Sequence, residues 1–352
     1  MATTQVKAYG TEAADADLKQ MNIERREVTL KDIEIEILYC GVCHSDLHTA
    51  RNDWGGTMYP SVPGHEIVGK VTRVGSEVTK LKVGDLAGVG CLVDSCHTCE
   101  SCKKDLEQYC LTGFTGTYGS GDKHLGGHTF GGYSQKIVVD EHFVLRVPSN
   151  LDLAAVAPLL CAGITTWSPL KHWKVGKGSK VAIVGLGGLG HMAIKLAKGL
   201  GAEVTLFSRT PDKEKDALEL GADAVVISTD SNHMNSVNGK FDLIIDTVPY
   251  VHDVNPYVAT LNINGTLVLV GYLGGLEPIL NTVPMILGRK SVAGSVIGGI
   301  AETQEMLDFC GSHNIVSEIE IIKMQDINEA YERVLKSDVR YRFVIDMASL
   351  SE

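Results

Sequence analysis

Val181-Ala-Ile-Val184 runs straight into Gly185-Leu-Gly187-Gly188-Leu189-Gly190. Apolar residues then recur at helical spacing through Leu189, Met192, Ala193, Leu196, Ala197 and Leu200. A buried-type strand, a G-x-G-x-x-G turn and a helix, in that order, leave few folds open. The first glycine makes the tight turn, the second lets the backbone approach a pyrophosphate, and the third lets helix and strand pack closely. The helix N-terminus offers oriented N–H groups to an anion. Taken alone, the motif also describes a glycine turn without a ligand. Here the short apolar run repeats at Glu203–Phe207, Ala224–Ile227, Asp242–Asp246 and Thr266–Val270, with helical stretches between. That alternation predicts an α/β chain with a Rossmann-type, doubly wound parallel sheet that binds a dinucleotide.

The end of the second strand points to which dinucleotide. An NAD site carries an acid there for the ribose 2′-hydroxyl, whereas an NADP site offers a cation. This chain has Ser208 in the acid's place, Arg209 immediately after and Lys213 four residues on. A guanidinium suits a phosphate, so NADP(H) is the expected cofactor. A solvated basic loop is the plainer reading of the same residues.

At 352 residues the chain is expected to hold two domains. Residues 23–89 read as short strands and turns, and the glycine-rich 112–132 stretch reads as a loop. Beyond about 294, helices over 302–311 and 326–336 and a strand at Tyr341–Asp346 have no core of their own. They are expected to rejoin the first domain. The organisation expected is 1–153 and 295–352 as one domain, with 154–294 as the dinucleotide domain. A net charge of −11 argues against a nucleic-acid partner. No apolar h-region opens the sequence and no apolar run reaches membrane-spanning length, so a cytoplasmic protein without a membrane partner is expected. In a reducing compartment, closely spaced cysteines are metal ligands before they are disulfides.

Cys96, Cys99, Cys102 and Cys110 have the spacing C-x2-C-x2-C-x7-C. Four thiolates this close can fill the tetrahedral shell of one structural zinc, leaving no position for substrate. An iron–sulfur or redox-sensing module is the rival, but the bacterial ferredoxin run has three residues before its fourth cysteine and a proline after it. Here seven intervene and Leu111 follows. A second, open site is expected elsewhere. Cys43, His65 and Cys161 are its candidates, because two thiolates and an imidazole leave a fourth zinc position free for chemistry. Spacing alone does not single them out.

Gly64-His65-Glu66-x2-Gly69-x5-Gly75-x2-Val78 resembles the zinc signature of the medium-chain alcohol dehydrogenases, and the four-cysteine segment and glycine loop follow in that family's order. Ala157-Pro-Leu-Leu-Cys161-Ala-Gly163, Ile244-Ile-Asp246-Thr-Val-Pro249, Leu287-Gly-Arg289-Lys290 and Asp338-Val-Arg-Tyr-Arg342-Phe look like its cinnamyl-alcohol-dehydrogenase branch, which includes NADPH-dependent aldehyde reductases. The resemblance implies a β-rich GroES-like catalytic domain beside the Rossmann sheet and two zinc ions per chain, with Cys43, His65 and Cys161 as catalytic ligands.

The resemblance further implies roles for single residues. Glu66 sits beside the metal, Asp46 orients the ligand histidine, Ser45 takes the alcohol proton and His48 passes it to solvent. His44 and Arg342 lie near the cofactor phosphates and Thr165 near the nicotinamide. Cys40, Cys91 and Cys310 match no ligand position and read as small buried residues. Thr115 and Val296 fall where plant members place pocket aromatics, with Trp54 and Leu92 as further lining, which suggests wide substrate tolerance. The implied activity is reversible hydride transfer between NADP(H) and a primary alcohol or aldehyde, in a homodimer or tetramer. A narrower cinnamyl or benzyl alcohol dehydrogenase, a polyol dehydrogenase and a zinc-free quinone reductase are the alternatives; the last lacks the ligands present here.

Overall fold

Residues 2–271 and 274–351 are described by the structure, a computed structural model, and they fall into two units. The first comprises Met1–Cys161 and Gly298–Glu352, the second Ala162–Ile297.

The first unit begins with the antiparallel pair β1 (Thr3–Gly10) and β2 (Lys19–Arg26). There follow β3 (Asp32–Gly41), α1 (His44–Ala50), β4 (Ile67–Val74), β5 (Leu86–Val89), β6 (Leu92–Asp94), β7 (Thr115–Gly116), β8 (Lys136–Asp140), β9 (Leu145–Arg146) and α2 (Leu153–Val156). Strand β3 shows why the segment folds as a sheet. Ile33, Ile35 and Ile37 alternate onto a fully buried face. On the other face Glu34, itself covered, accepts from Lys136 Nζ and the Thr72 hydroxyl, both at 2.9 Å. The 112–132 stretch is a hydrogen-bonded loop: β7 pairs with β6, Gly119 N–H donates to Thr129 O at 2.9 Å, and Thr129 N–H donates to Ser120 O at 2.7 Å.

The second unit runs α3 (Ala162–His172), β10 (Lys180–Val184), α4 (Gly190–Gly199), β11 (Glu203–Ser208), α5 (Glu214–Glu219), β12 (Ala224–Ile227), α6 (Ser231–Asn235), β13 (Phe241–Asp246), α7 (Asn255–Thr260), β14 (Leu261–Leu269), α8 (Thr282–Gly288) and β15 (Ser291–Gly294). The strands lie in the order β12-β11-β10-β13-β14-β15, all parallel. Val181, Ala182 and Ile183 are fully buried, as the continuous apolar runs of a sheet covered on both faces require. A core of Phe207, Phe241, Ile244, Tyr257, Leu261 and Leu267 packs on this sheet. Strand β14 starts at Leu261, five residues before the expected Thr266. It opens opposite Phe241, and the register shifts before Leu243 meets Thr266. Exposed Ile263 and Asn264, the latter at φ 68°, hide this start from an apolar-run search.

The chain then returns to the first unit as α9 (Ile300–His313), β16 (Ile319–Lys323), α10 (Ile327–Leu335) and β17 (Arg342–Asp346). Its two strands complete a seven-stranded sheet in the order β16-β17-β3-β4-β5-β9, with β8 also on β3. The units divide at 161/162 and 297/298, against the 153/154 and 294/295 expected. Among the described residues no single helix is long and apolar enough to cross a membrane.

Candidate metal centres and dinucleotide loop

Helix α1 is built around the expected catalytic residues. Cys43 is its N-cap, and the Asp46 carboxylate, one turn in, accepts the Cys43 N–H at 2.9 Å. This reciprocal cap fixes Cys43 at the helix entrance. The same carboxylate, fully buried, accepts Gly64 N–H and His65 Nδ1–H, each at 3.0 Å. His65 therefore keeps Nε2 free as its ligand atom. Cys161 ends the helical turn after α2. One ligand atom each from Cys43, His65, Glu66 and Cys161 lie within 4.8 Å of one another.

This donor set fits a zinc ion. The Cys43 and Cys161 sulfurs are 4.0 Å apart, and two thiolates at about 2.3 Å from a tetrahedral zinc sit about 3.8 Å apart. Their shared hydrogen bond pulls Cys43 well below the usual thiol range and pushes Cys161 up. Two adjacent thiolates cannot both ionise unless a cation lies between them. Burial works against the His65 imidazolium, yet Asp46 raises its pKa overall.

Glu66 is fully buried. Burial lifts its carboxyl to about 7 against the pull of Arg342. One carboxylate oxygen pairs with the Arg342 guanidinium; the other, Oε2, has no partner. Gly41 makes the room, since a Cβ there would stand 1.9 Å from that oxygen. Arg342, expected near phosphates, thus spends one nitrogen on Glu66 and on the Val42 carbonyl. Its Nε is buried without a partner, as is His44 Nε2. Burial lowers the His44 pKa, disfavouring the charged ring.

Ser45 Oγ lies 3.7 Å from Cys43 Sγ. Ser45 and His48 are both on helix α1, and no hydrogen bond joins them. His48 is held instead by Asp53, Nδ1 to Oδ2 at 2.7 Å. Nothing in the residue pattern singled out Asp53. Tyr118 was missed too: its ring is 5.6 Å from that of His65, in a stretch read only as loop. Cys91 is partly exposed, and a hydrogen bond with Cys161 lowers its pKa, so it is no inert buried residue. Cys40 and Cys310 are buried.

Thr115 borders a cavity of about 50 Å³ whose walls include Arg25, Asp94, Asp122 and Lys123 but none of the metal-site residues. Leu92 is buried, and Trp54 and Val296 are about half exposed.

The four-cysteine segment closes on itself. Cys99 and Cys102 sulfurs lie 3.5 Å apart, and Cys96 and Cys102 3.9 Å. Backbone N–H groups of Cys99, Cys102 and Leu111 point at the sulfurs of Cys96 and Cys99. The Cys99 and Thr98 N–H groups bring the Cys96 thiol down to about 5, while burial pushes Cys102 up to about 11. All four ligand atoms fall within 4.8 Å of one another, which fits a closed tetrahedral site.

In the second unit Gly185 adopts φ 88°, a turn that favours glycine. A Cβ on Gly190 would lie 2.1 Å from Gly185 O, so the third glycine lets α4 pack on the strand end. A Cβ on Gly187 meets nothing, leaving the loop face open. Gly188 and Leu189 complete the turn, and Leu189 is the N-cap of α4. Ser208 is buried, with its hydroxyl donated to Thr210 O at 2.7 Å. Arg209 is exposed. Lys213 reaches back to donate to Leu186 O at 2.9 Å. Thr165 is buried on α3.

Residues 30–149 match the alcohol dehydrogenase GroES-like domain family and residues 188–312 the zinc-binding dehydrogenase family. The chain is 54% identical to NADP-dependent alcohol dehydrogenase C 1 of Mycolicibacterium smegmatis, over 98% of this chain and 99% of that one. It is 52% identical to aldehyde reductase YahK of Escherichia coli, over 99% and 100%. It superposes on a solved cinnamyl alcohol dehydrogenase from Sorghum bicolor with a TM-score of 0.94, at 45% identity, covering 98% of each chain.

Proposed function

The chain belongs to the zinc-dependent medium-chain alcohol dehydrogenase family, and on that premise we propose how its residues divide the work. It is an NADP-dependent oxidoreductase that interconverts alcohols and aldehydes. When bound, zinc supplies Lewis acidity at the substrate oxygen, and NADP(H) gives or takes the hydride.

Cys43, His65 and Cys161 hold the catalytic zinc, and the unpartnered Glu66 Oε2 stands ready as a further oxygen donor. This convergence of two thiols, an imidazole and an unpartnered carboxylate oxygen carries the reading. Asp46 fixes the His65 tautomer. The Ser45 hydroxyl takes the alcohol proton, and His48, oriented by Asp53, hands it to solvent. Cys96, Cys99, Cys102 and Cys110 hold the structural zinc.

The glycine loop and the start of α4 take the pyrophosphate, with Arg209 and Lys213 on the 2′-phosphate and Ser208 leaving room for it. His44 Nε2 and Arg342 Nε, both buried without partners, suit the role of cofactor-phosphate donors that the family resemblance gives them. Thr165 faces the nicotinamide. The substrates are primary alcohols and aldehydes, with broad aldehyde reduction as the main activity.

A second copy of this chain is the partner. Val283, Ile286 and Leu287 of α8 are 57%, 75% and 83% exposed, and β15, the next strand in the chain, is an edge of the parallel sheet. Such an edge with an apolar flank pairs with itself across a two-fold axis. None of the nine cysteines is in a disulfide, which suits the reducing cytoplasm.

A kinetic panel tests the reading: NADPH against NADH with aliphatic, benzylic and cinnamyl aldehydes, alongside zinc content and light-scattering mass. The expectation is preference for NADPH, turnover across the three aldehyde classes, two zincs per chain and a mass of at least a dimer. Turnover with cinnamyl aldehydes alone would favour the narrower specificity.

A further inference from the structure

The Asp46 carboxylate accepts four hydrogen bonds in a region closed to solvent. Oδ1 takes Gly64 N–H and His65 Nδ1–H at 3.0 Å, and Oδ2 takes Cys43 N–H at 2.9 Å. Each of these donors is on a metal ligand or next to one. The fourth is the hydroxyl of Tyr133, which donates to Oδ2 at 3.3 Å. Neither the residue pattern nor the resemblance pointed to Tyr133.

Tyr133 is held with unusual firmness. It is fully buried. Its N–H donates to Pro63 O at 3.0 Å, and its carbonyl accepts Tyr9 N–H at 2.8 Å. Its ring lies so close to Gly64 that a Cβ there would stand 2.7 Å from Cδ1. The surrounding turn is clamped by the buried Arg25 guanidinium, which donates to the carbonyls of Phe130 and Gly131 at 2.7 Å, to Lys136 O at 2.9 Å and to Ser134 Oγ at 2.7 Å. Burial and the Asp46 charge push the phenol well above its ordinary range, so it remains a donor at every working pH.

We propose that Tyr133 is a positioning residue for the metal centre: by completing the donor set of Asp46 it fixes that carboxylate, and through it the His65 ring that presents Nε2 to zinc. The inference rests on the metal centre described above. A buried carboxylate that loses one donor must turn toward another or sit underbonded. His65 then loses its fixed orientation, and groups that orient a ligand this way are worth about 10- to 100-fold in metal affinity.

The test uses the full chain loaded with two zincs, with chelator competition read site by site and the catalytic site also loaded with cobalt. Tyr133→Phe should weaken the catalytic site about tenfold or more, shift the cobalt absorption bands and leave the four-cysteine site unchanged. Tyr257→Phe is the control. It removes another buried phenol hydroxyl, on α7 of the second unit and bonded to neither Asp46 nor Tyr133, and should change neither site. Tyr133→Phe with wild-type affinity and bands would overturn the proposal. Equal weakening of both sites would also overturn it, making Tyr133 a packing residue. If wild-type protein holds no zinc that Cys43→Ala removes, the reading of the centre falls first, and the role of Tyr133 with it.

Discussion

Lys213, on the turn after β11, donates its ammonium to the Leu186 carbonyl at 2.9 Å, so the loop ending the second strand is tied to the glycine loop after the first. Burial, and then the neighbouring Arg209, lower the Lys213 pKa. Two cations crowded at one loop are relieved by an anion, which is what a 2′-phosphate supplies.

On the proposed reading, that pair sets the cofactor choice. Arg209→Ala and Lys213→Ala should each weaken NADP(H) about ten- to a hundredfold, the worth of a charge-assisted hydrogen bond of about 1.5–3 kcal/mol. NAD(H) should be nearly unaffected. Ser208→Asp should repel the phosphate and shift preference toward NAD(H). Steady-state kinetics with both cofactors decide it; equal loss with NADH would remove these residues from the phosphate site.

The two metal sites should part company under mutation. Cys43→Ala, His65→Ala or Cys161→Ala should abolish turnover and cost about one zinc per chain while the fold persists. Cys99→Ala or Cys102→Ala should lower the melting temperature before the chemistry changes, because a closed site contributes folding energy. A Cys102→Ala protein with unchanged zinc content and melting temperature would contradict the structural role.

Arg342 and Glu66 form a buried ion pair whose members are 6% and 0% exposed. Arg342→Met leaves the carboxylate buried without its cation, which costs about 3–5 kcal/mol. Denaturant midpoints of wild type and variant measure this. A loss below about 1 kcal/mol would mean that Glu66 has another partner.

The second unit carries a pH-dependent contact. His252 Nε2 lies 2.9 Å from Oδ2 of the fully buried Asp246. The hydrogen bond to Asp246 raises the His252 pKa against burial. A folded-state pKa above the unfolded value, about 6.5, gives stability that is complete below that value and fades as pH rises through the folded pKa. Melting temperature should therefore fall as pH rises from about 6.5 through the raised His252 pKa, and His252→Gln should flatten part of that fall. An identical slope in the variant would show that the pair is not linked to folding.

The glycine loop, the four-cysteine segment and most parallel strands were legible in the residues because each is local. A turn that needs glycine, a ligand set within fifteen residues and an apolar run are written in consecutive positions. The first half of strand β14 escaped because a register shift and polar residues interrupt its run. The second candidate metal cluster was legible only by resemblance, since Cys43, His65 and Cys161 are separated by 22 and 96 positions, and no periodicity links them. What surrounds them was decided by tertiary structure alone. Arg342 reaches Glu66 because β17 pairs with β3. Asp53 orients His48 because the chain turns back after α1. Tyr133 reaches Asp46 because Arg25 gathers the carbonyls of its turn. These contacts depend on burial and on where distant segments meet, which a single sequence does not encode at any fixed spacing.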